Sequence, residues 1–283
     1  MAQMVSELVA RPPIASSSSP AIELRDVTKR FRTPSGDIYT ALRDLDITVA
    51  AGEFLSIVGP TGCGKSTTLG LISGLTPASS GEVLVLGTPV RGIGDNLGYV
   101  FQGDVLFPWK SVLGNVSAGL RFRGVSKKEA NERAREWIAK VGLSGFEDRY
   151  PHQLSGGMRK RTALAQTLIT SPEIILMDEP FSALDVQTRA LMEDELLDLW
   201  SATSASVVFV THDLEEAIAL SDRVCVISAG PGTVKGVYEI DLPRPRRVAE
   251  IRFEPRFVEI YRDIWENLRD EVLVSYERAK QHV

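Results

Sequence analysis

"FLSIVGPTGCGKSTTLGLI", residues 54–72, reads as an apolar strand, a glycine-rich turn and a helix in unbroken succession. Gly59, Gly64, Lys65 and Ser66 satisfy G-x-x-x-x-G-K-[ST] in the strand-before, helix-after setting that this motif requires. Glycines let the backbone turn tightly enough for successive N–H groups to point inward at phosphate oxygens. The helix that follows aims its positive end at the same place. Lys65 is expected to bridge the β- and γ-phosphates of a nucleotide, and the Ser66 hydroxyl to ligate Mg²⁺. The expected ATP-binding segment is the whole loop: Gly59, Pro60, Thr61, Gly62, Cys63, Gly64, Lys65, Ser66 and Thr67. Cys63 has two readings. The helix N-terminus would lower its thiol pKa, so that alkylation blocks ATP binding and MgATP protects; or it is a small buried filler.

Outward from the loop, three further apolar runs end in polar residues. "IILMDEP" leads to Asp178 and Glu179, "SVVFVTH" to His212, and "LGYVF" to Gln102. In an α/β protein the carboxyl ends of the strands are where ligands bind. Two adjacent carboxylates there would be costly if left unpaired. Asp178 is therefore the expected Mg²⁺ partner, and Glu179 the base that orients and deprotonates an attacking water. Taken alone, the acids could simply cap a helix, and His212 could be a satisfied structural residue. Gln102 could sense the γ-phosphate or Mg²⁺, or be structural.

The 283 residues, 43% hydrophobic and 24% charged, suit a globular protein that buries a real core. A net charge of -5 argues against nucleic acid as a partner. Two well-separated cysteines suggest no disulfide framework, which fits a reducing compartment. No apolar run approaches the ~18 residues of a membrane span. Residues 1–20 lack the pattern of a signal peptide, and their Pro and Ser content predicts a disordered lead-in. Strands alternating with helices predict an α/β domain over 21–230 with a mainly parallel sheet core and an antiparallel β part. Helical patterns dominate about 107–168, which predicts an inserted helical subdomain. Residues 231–283 form a C-terminal extension, where "GTVKGVYEIDL" suggests a strand pair. There Phe257, Ile260, Ile264, Leu268 and Val272 make one apolar helix face, packed on its own domain or on a partner.

"LSGGMRKR", 154–161, is a second glycine turn opening a helix, and so a second anion-binding N-terminus. Yet it sits in the helical insertion, far from the phosphate loop in sequence. The ordered set "GPTGCGKST", Gln102, "LSGGM", "IILMDEP", "SALD" and His212 resembles the ATP-binding subunit of ABC transporters, a P-loop NTPase fold. The resemblance covers about 22–230. It implies that Leu154, Ser155, Gly156, Gly157 and Met158 act in trans, capping the γ-phosphate of ATP held by the partner of a head-to-tail homodimer. It assigns Asp185 to communication between the two sites and His212 to the γ-phosphate. Together with the readings above, Glu179, His212, Gln102 and Lys65 are the expected catalytic residues, and Ser66, Gln102 and Asp178 the expected Mg²⁺ site. Its adenine-stacking aromatic falls on Phe31, with Tyr39 as rival and core packing as the plain alternative. Lys160 stands where many members carry Gln, with little effect on the chemistry expected.

"FQGDVLFPW", the second turn and the "LPRPR" tail resemble the nitrate, sulfonate and taurine importer group. That likeness implies a peripheral ATPase on the cytoplasmic side of the inner membrane, working on separate permease subunits and indirectly with a solute-binding protein. Phe107, Pro108 and Trp109 are the expected permease contacts, unless Trp109 is local core. An exporter or lipid-transport ATPase, a non-transport ABC ATPase and a nucleotide-gated scaffold are the alternatives.

Overall fold

The computed structural model describes residues 19–103 and 105–281; the expected lead-in lies outside them except for its last two residues. The chain begins with β1 (Ile22–Arg32), β2 (Ile38–Val49), β3 (Phe54–Val58), α1 (Lys65–Ile72), β4 (Ser80–Val85), β5 (Thr88–Pro89) and β6 (Leu97–Val100). Four helices follow: α2 (Val112–Val116), α3 (Ala118–Phe122), α4 (Lys127–Lys140) and α5 (Gly156–Leu168). Then come β7 (Ile174–Asp178), α6 (Val186–Ser201), β8 (Ser206–Thr211), α7 (Leu214–Leu220), β9 (Arg223–Ile227), β10 (Val234–Glu239), α8 (Val248–Ile251) and α9 (Pro255–Gln281).

The central sheet has the order β10-β9-β3-β8-β7-β6, parallel except at β10. Its inner strands β3, β7, β8 and β9 are mostly apolar and almost wholly buried, because both faces of the sheet are covered. In β3, Phe54 and Val58 join one core with Trp200 and Phe209, while Leu55 and Ile57 join the opposite one. The same alternation runs through β7, β8 and β9, as the two-residue period of a strand demands. The first core is closed by α6, α7 and the buried face of α9. The second lies under α1 and an antiparallel sheet of order β2-β1-β4-β5. A third cluster, with Val116, Ala134, Ile138 and Ala165, holds the helical segment between β6 and β7 together.

In the tail, the strand pair suggested by "GTVKGVYEIDL" is a single strand, β10, which pairs backwards onto β9. The extended pattern was legible, but its partner was already in the sheet. The apolar face of α9 buries Phe257, Ile260, Ile264 and Leu268, whereas Val272 is 38% exposed. No helix among the described residues is long and apolar enough to cross a membrane.

Candidate functional site

The loop after β3 wraps into the N-terminus of α1 under strict steric terms. Gly64 sits at φ 102°, where a Cβ would lie 2.5 Å from Leu42 Cδ2, so only glycine fits. Lys65 is 6% exposed and folds back so that its Nζ donates to the carbonyls of Gly59 (2.8 Å) and Pro60 (3.2 Å). The chain's own hydrogen bonds thus hold the lysine at the loop.

Cys63 is 1% exposed, and burial pushes its thiol pKa up, with the nearby Lys65 charge opposing. Burial outweighs the influences that lower the pKa, which favours the buried-filler reading. Under native conditions Cys63 is expected to alkylate far more slowly than a free thiol, because the thiolate is scarce and unreachable. Mass spectrometry after a short maleimide pulse checks this, and rapid labelling suppressed by MgATP would contradict it.

Around the loop the strand ends converge. Ser66 Oγ donates to Asp178 Oδ1 at 3.0 Å, joining the first turn of α1 to the end of β7. Burial raises the Asp178 pKa, the Ser66 bond opposes, and the neighbouring Glu179 charge adds to the rise. Two hard oxygen donors at the mouth of a phosphate loop suit Mg²⁺, which takes few protein ligands and keeps its waters. Glu179 follows directly, at φ 43°, a left-handed conformation that costs a non-glycine residue ~1–3 kcal/mol and tends to occur at functional sites. Its N–H donates to Val210 O at 2.9 Å, which holds the strained residue at the sheet edge. Its Oε2 lies 2.9 Å from His212 Nδ1 and 3.5 Å from Gln102 Nε2. Lys65, Ser66, Gln102, Asp178, Glu179 and His212 therefore share one edge.

The second glycine turn lies elsewhere. Ser155 caps α5, its Oγ accepting from Met158 N–H at 3.3 Å. Its glycines answer to a different rule from Gly64: a Cβ on Gly156 would meet nothing closer than 3.9 Å, from Leu184 Cδ2 and an Arg159 nitrogen. The chain's own packing therefore leaves room for a side chain at 156. On Gly157 a Cβ would meet Thr188 Cγ2 at 3.3 Å, so the turn rests against residues 184–188. Asp185 caps α6 there, its carboxylate accepting from Thr188 N–H at 3.0 Å, a bond that lowers its pKa. Among the described residues no hydrogen bond joins 154–158 to 59–67.

Comparison with known proteins agrees with this geometry. The ABC transporter family pattern matches residues 42–182. An uncharacterized ABC transporter ATP-binding protein of Methanocaldococcus jannaschii is 47% identical over 90% of this chain and 93% of its own. The chain is an ATP-binding subunit of the ABC transporter family. As such it is an ATPase, and the fold is the P-loop ABC cassette. The cassette is also 41% identical to the nitrate import ATP-binding protein NrtD of Synechocystis sp., over 88% of this chain and 95% of that one. To the taurine import ATP-binding protein TauB of Burkholderia pseudomallei it is 42% identical, over 82% and 91%. Among solved structures, a dimeric post-hydrolysis state of the ATP-binding cassette MJ0796 with ADP and Pi matches at TM-score 0.69. That match has 33% identity and covers 77% of this chain and 98% of that one.

Other parts of the cassette settle or amend the sequence reading. Phe31 and Tyr39 are paired across β1 and β2 and are 40% and 47% exposed, so neither is core. A Cβ on Gly230 would lie 3.5 Å from the Tyr39 hydroxyl and 3.9 Å from Gly62 O, which sets Tyr39 beside the phosphate loop. Trp109 is 71% exposed and is not local core. Lys160 is buried, and its Nζ donates to the carbonyl of Gln102 at 2.6 Å. It thus ties α5 to the segment after β6. Sequence reasoning also missed Tyr99, whose hydroxyl reaches Asp178 Oδ2 at 3.5 Å, and Arg189, which joins α6 to Asp213 (3.3 Å) and Glu216 (3.5 Å). A strand tyrosine and a helix arginine carry no local signal that separates them from ordinary packing and surface residues.

Proposed function

We propose that this ATPase drives uptake of a small solute through separate membrane permease subunits, as one half of a head-to-tail homodimer. The observation that carries the reading is the contrast between its glycines. Gly64 is demanded by its own fold, while Gly156 sits at a capped helix N-terminus whose own packing would admit a side chain. A bare anion-binding turn set apart from its own phosphate loop suits a nucleotide held by a second copy. The dimeric cassettes among its structural relatives support that pairing.

Within each half, the loop from Gly59 to Thr67 would hold the phosphates and Lys65 would neutralise the outer two. Adenine would lie on the exposed pair Phe31 and Tyr39, a stacking contribution of ~1–3 kcal/mol. Mg²⁺ bound at Ser66 and Asp178 would offset charge on the phosphate oxygens. Glu179 would take the proton of the attacking water, with His212 and Gln102 fixing its carboxylate. Asp185, at the turn beside the signature, would link the two sites. ATP would hold the halves together and hydrolysis would release them, which converts γ-phosphate contacts into motion.

The permease contact is proposed on the apolar groove of about 330 Å³ beside Gln102, where Phe101, Val105, Phe107 and Phe122 line the wall and Trp109 stands next to Phe107. Trp109 and Phe122 are 71% and 73% exposed, an unusual loss of burial for rings of that size unless another chain covers them. The subunit would then sit at the cytoplasmic face of the membrane, held there by its partners, with a solute-binding protein delivering cargo from the other side. Its solute is proposed as nitrate, a sulfonate, taurine or a related small molecule, since the NrtD and TauB subunits serve such imports. Affinity capture of the tagged chain from solubilised membranes is expected to bring membrane-spanning subunits with it. Trp109→Asp with Phe122→Asp is expected to reduce that capture by roughly tenfold or more. Undiminished capture contradicts the docking groove, and unchanged nitrate and taurine uptake in cells lacking the chain contradicts those solutes.

A further inference from the structure

The apolar face of α9 outruns the domain it packs on. Leu268 is 5% exposed, but the next two residues on the same face, Val272 and Tyr276, are 38% and 60% exposed. This end of the helix is anchored. Glu271 accepts a 2.8 Å hydrogen bond from Ala229 N–H and pairs with Lys235 at 2.8 Å. Helix and cassette together enclose a groove of about 570 Å³, with Trp265, Val272 and Tyr276 on one side and Pro60, Thr61 and His212 on the other. One wall is therefore the phosphate loop and the catalytic edge, and the opposite wall is the C-terminal extension.

The groove opens beside Pro60, Thr61 and His212, and in the dimer proposed above the partner's signature turn comes to that edge. That turn does not travel alone. Residues 184–188 rest directly against Gly156 and Gly157, and from them Val186 projects with 67% of its surface exposed. An exposed valine beside the signature and an open apolar groove beside the phosphate loop are complementary surfaces of one chain, the relation that a two-fold interface needs. We propose that the α9 groove receives the 184–188 turn of a second copy, led by Val186, so that the C-terminal helix is part of the ATP-closed interface. This rests on the head-to-tail reading and adds to it a clamp outside the phosphate chemistry of the site. Burying Val186, Val272 and Tyr276 only in the closed dimer would stabilise that state relative to the open one.

The test uses the full chain carrying Glu179→Gln, with MgATP, and reads the monomer–dimer equilibrium by sedimentation. Val272→Asp and Tyr276→Asp, both at exposed positions, are expected to raise the dimer dissociation constant by roughly tenfold or more each. Binding of a fluorescent ATP analogue to the monomer should stay unchanged, because neither residue supports the loop. In a second arm, Val186→Cys chains are mixed with Ser275→Cys chains and treated with a short bismaleimide; the native Cys63 and Cys225 are buried and do not interfere. A cross-linked pair is expected with MgATP and not with ADP. A full-strength dimer from both aspartate variants, without the cross-link, overturns the role of α9 and leaves the dimer standing. Absence of any MgATP dimer in the parent overturns both readings. Intact dimerisation with lost capture of membrane subunits would overturn the proposal by assigning the groove to the permease.

Discussion

Glu179→Gln is expected to lower ATP turnover by ~10²–10⁴-fold, the usual worth of a positioned general base. The amide keeps the shape of the carboxylate but has no pair of electrons basic enough to take a proton from water. It can still face His212 Nδ1, now 2.9 Å from Oε2, with the ring in whichever tautomer matches. The phosphate loop, Lys65 and Ser66 are untouched, so ATP should bind nearly as in the parent chain. Binding without hydrolysis leaves the γ-phosphate in place, and the closed dimer should accumulate on size exclusion with MgATP. The strained backbone sharpens the prediction. At φ 43° residue 179 is placed by Val210 and the sheet, not by its own side chain, so the substitution should leave the edge intact. Turnover at the parent rate would remove Glu179 from the role of base and leave His212 as the next candidate.

Much of this site was legible because its residues are local to strand ends. An apolar run of four or five residues followed by a polar one predicts a buried strand meeting a ligand edge, and Asp178, Glu179 and His212 were found that way. Lys65 and Ser66 were readable because the loop's spacing is set by backbone geometry within one turn. What stayed illegible depends on contacts far apart in sequence. The carbonyl of Gln102 accepts from Lys160, 58 residues away, and the Arg189 pairing with Asp213 spans 24. Cys63 was ambiguous for a different reason. Its position at a helix N-terminus was visible, but desolvation, which decides its thiol pKa, depends on how completely the loop is covered. The C-terminal helix shows the same limit: its apolar stripe was plain, yet only the fold reveals that burial of the stripe ends at Leu268 while the stripe continues.

Two inactive chains should restore one another if the signature acts in trans. Lys65→Ala removes the charge at the phosphates, together with the bonds that tie Nζ to Gly59 and Pro60. Gly156→Asp puts a carboxylate on the bare turn. In its own chain the new Cβ would meet only Leu184 Cδ2 and an Arg159 nitrogen, both at 3.9 Å, so the fold should accept it. Against a phosphate the added negative charge would repel, and like charges juxtaposed at an interface cost several kcal/mol. Each variant should therefore be inactive as a homodimer. Mixed together, one interface site joins the damaged loop to the damaged signature, and the other joins an intact loop to an intact signature. One complete site returns from two dead subunits. If the signature served the nucleotide of its own chain, every site in the mixture would carry a lesion and nothing would return. The reciprocal control pairs the parent with a chain bearing both lesions. There the shared-site arrangement leaves no whole site, and the alternative leaves one. Hydrolysis can require both sites at once, so the readout is ATP occlusion in purified heterodimers carrying different tags. Occlusion in the double-lesion control and not in the mixed pair would reverse the assignment, returning the second glycine turn to its own chain's ATP.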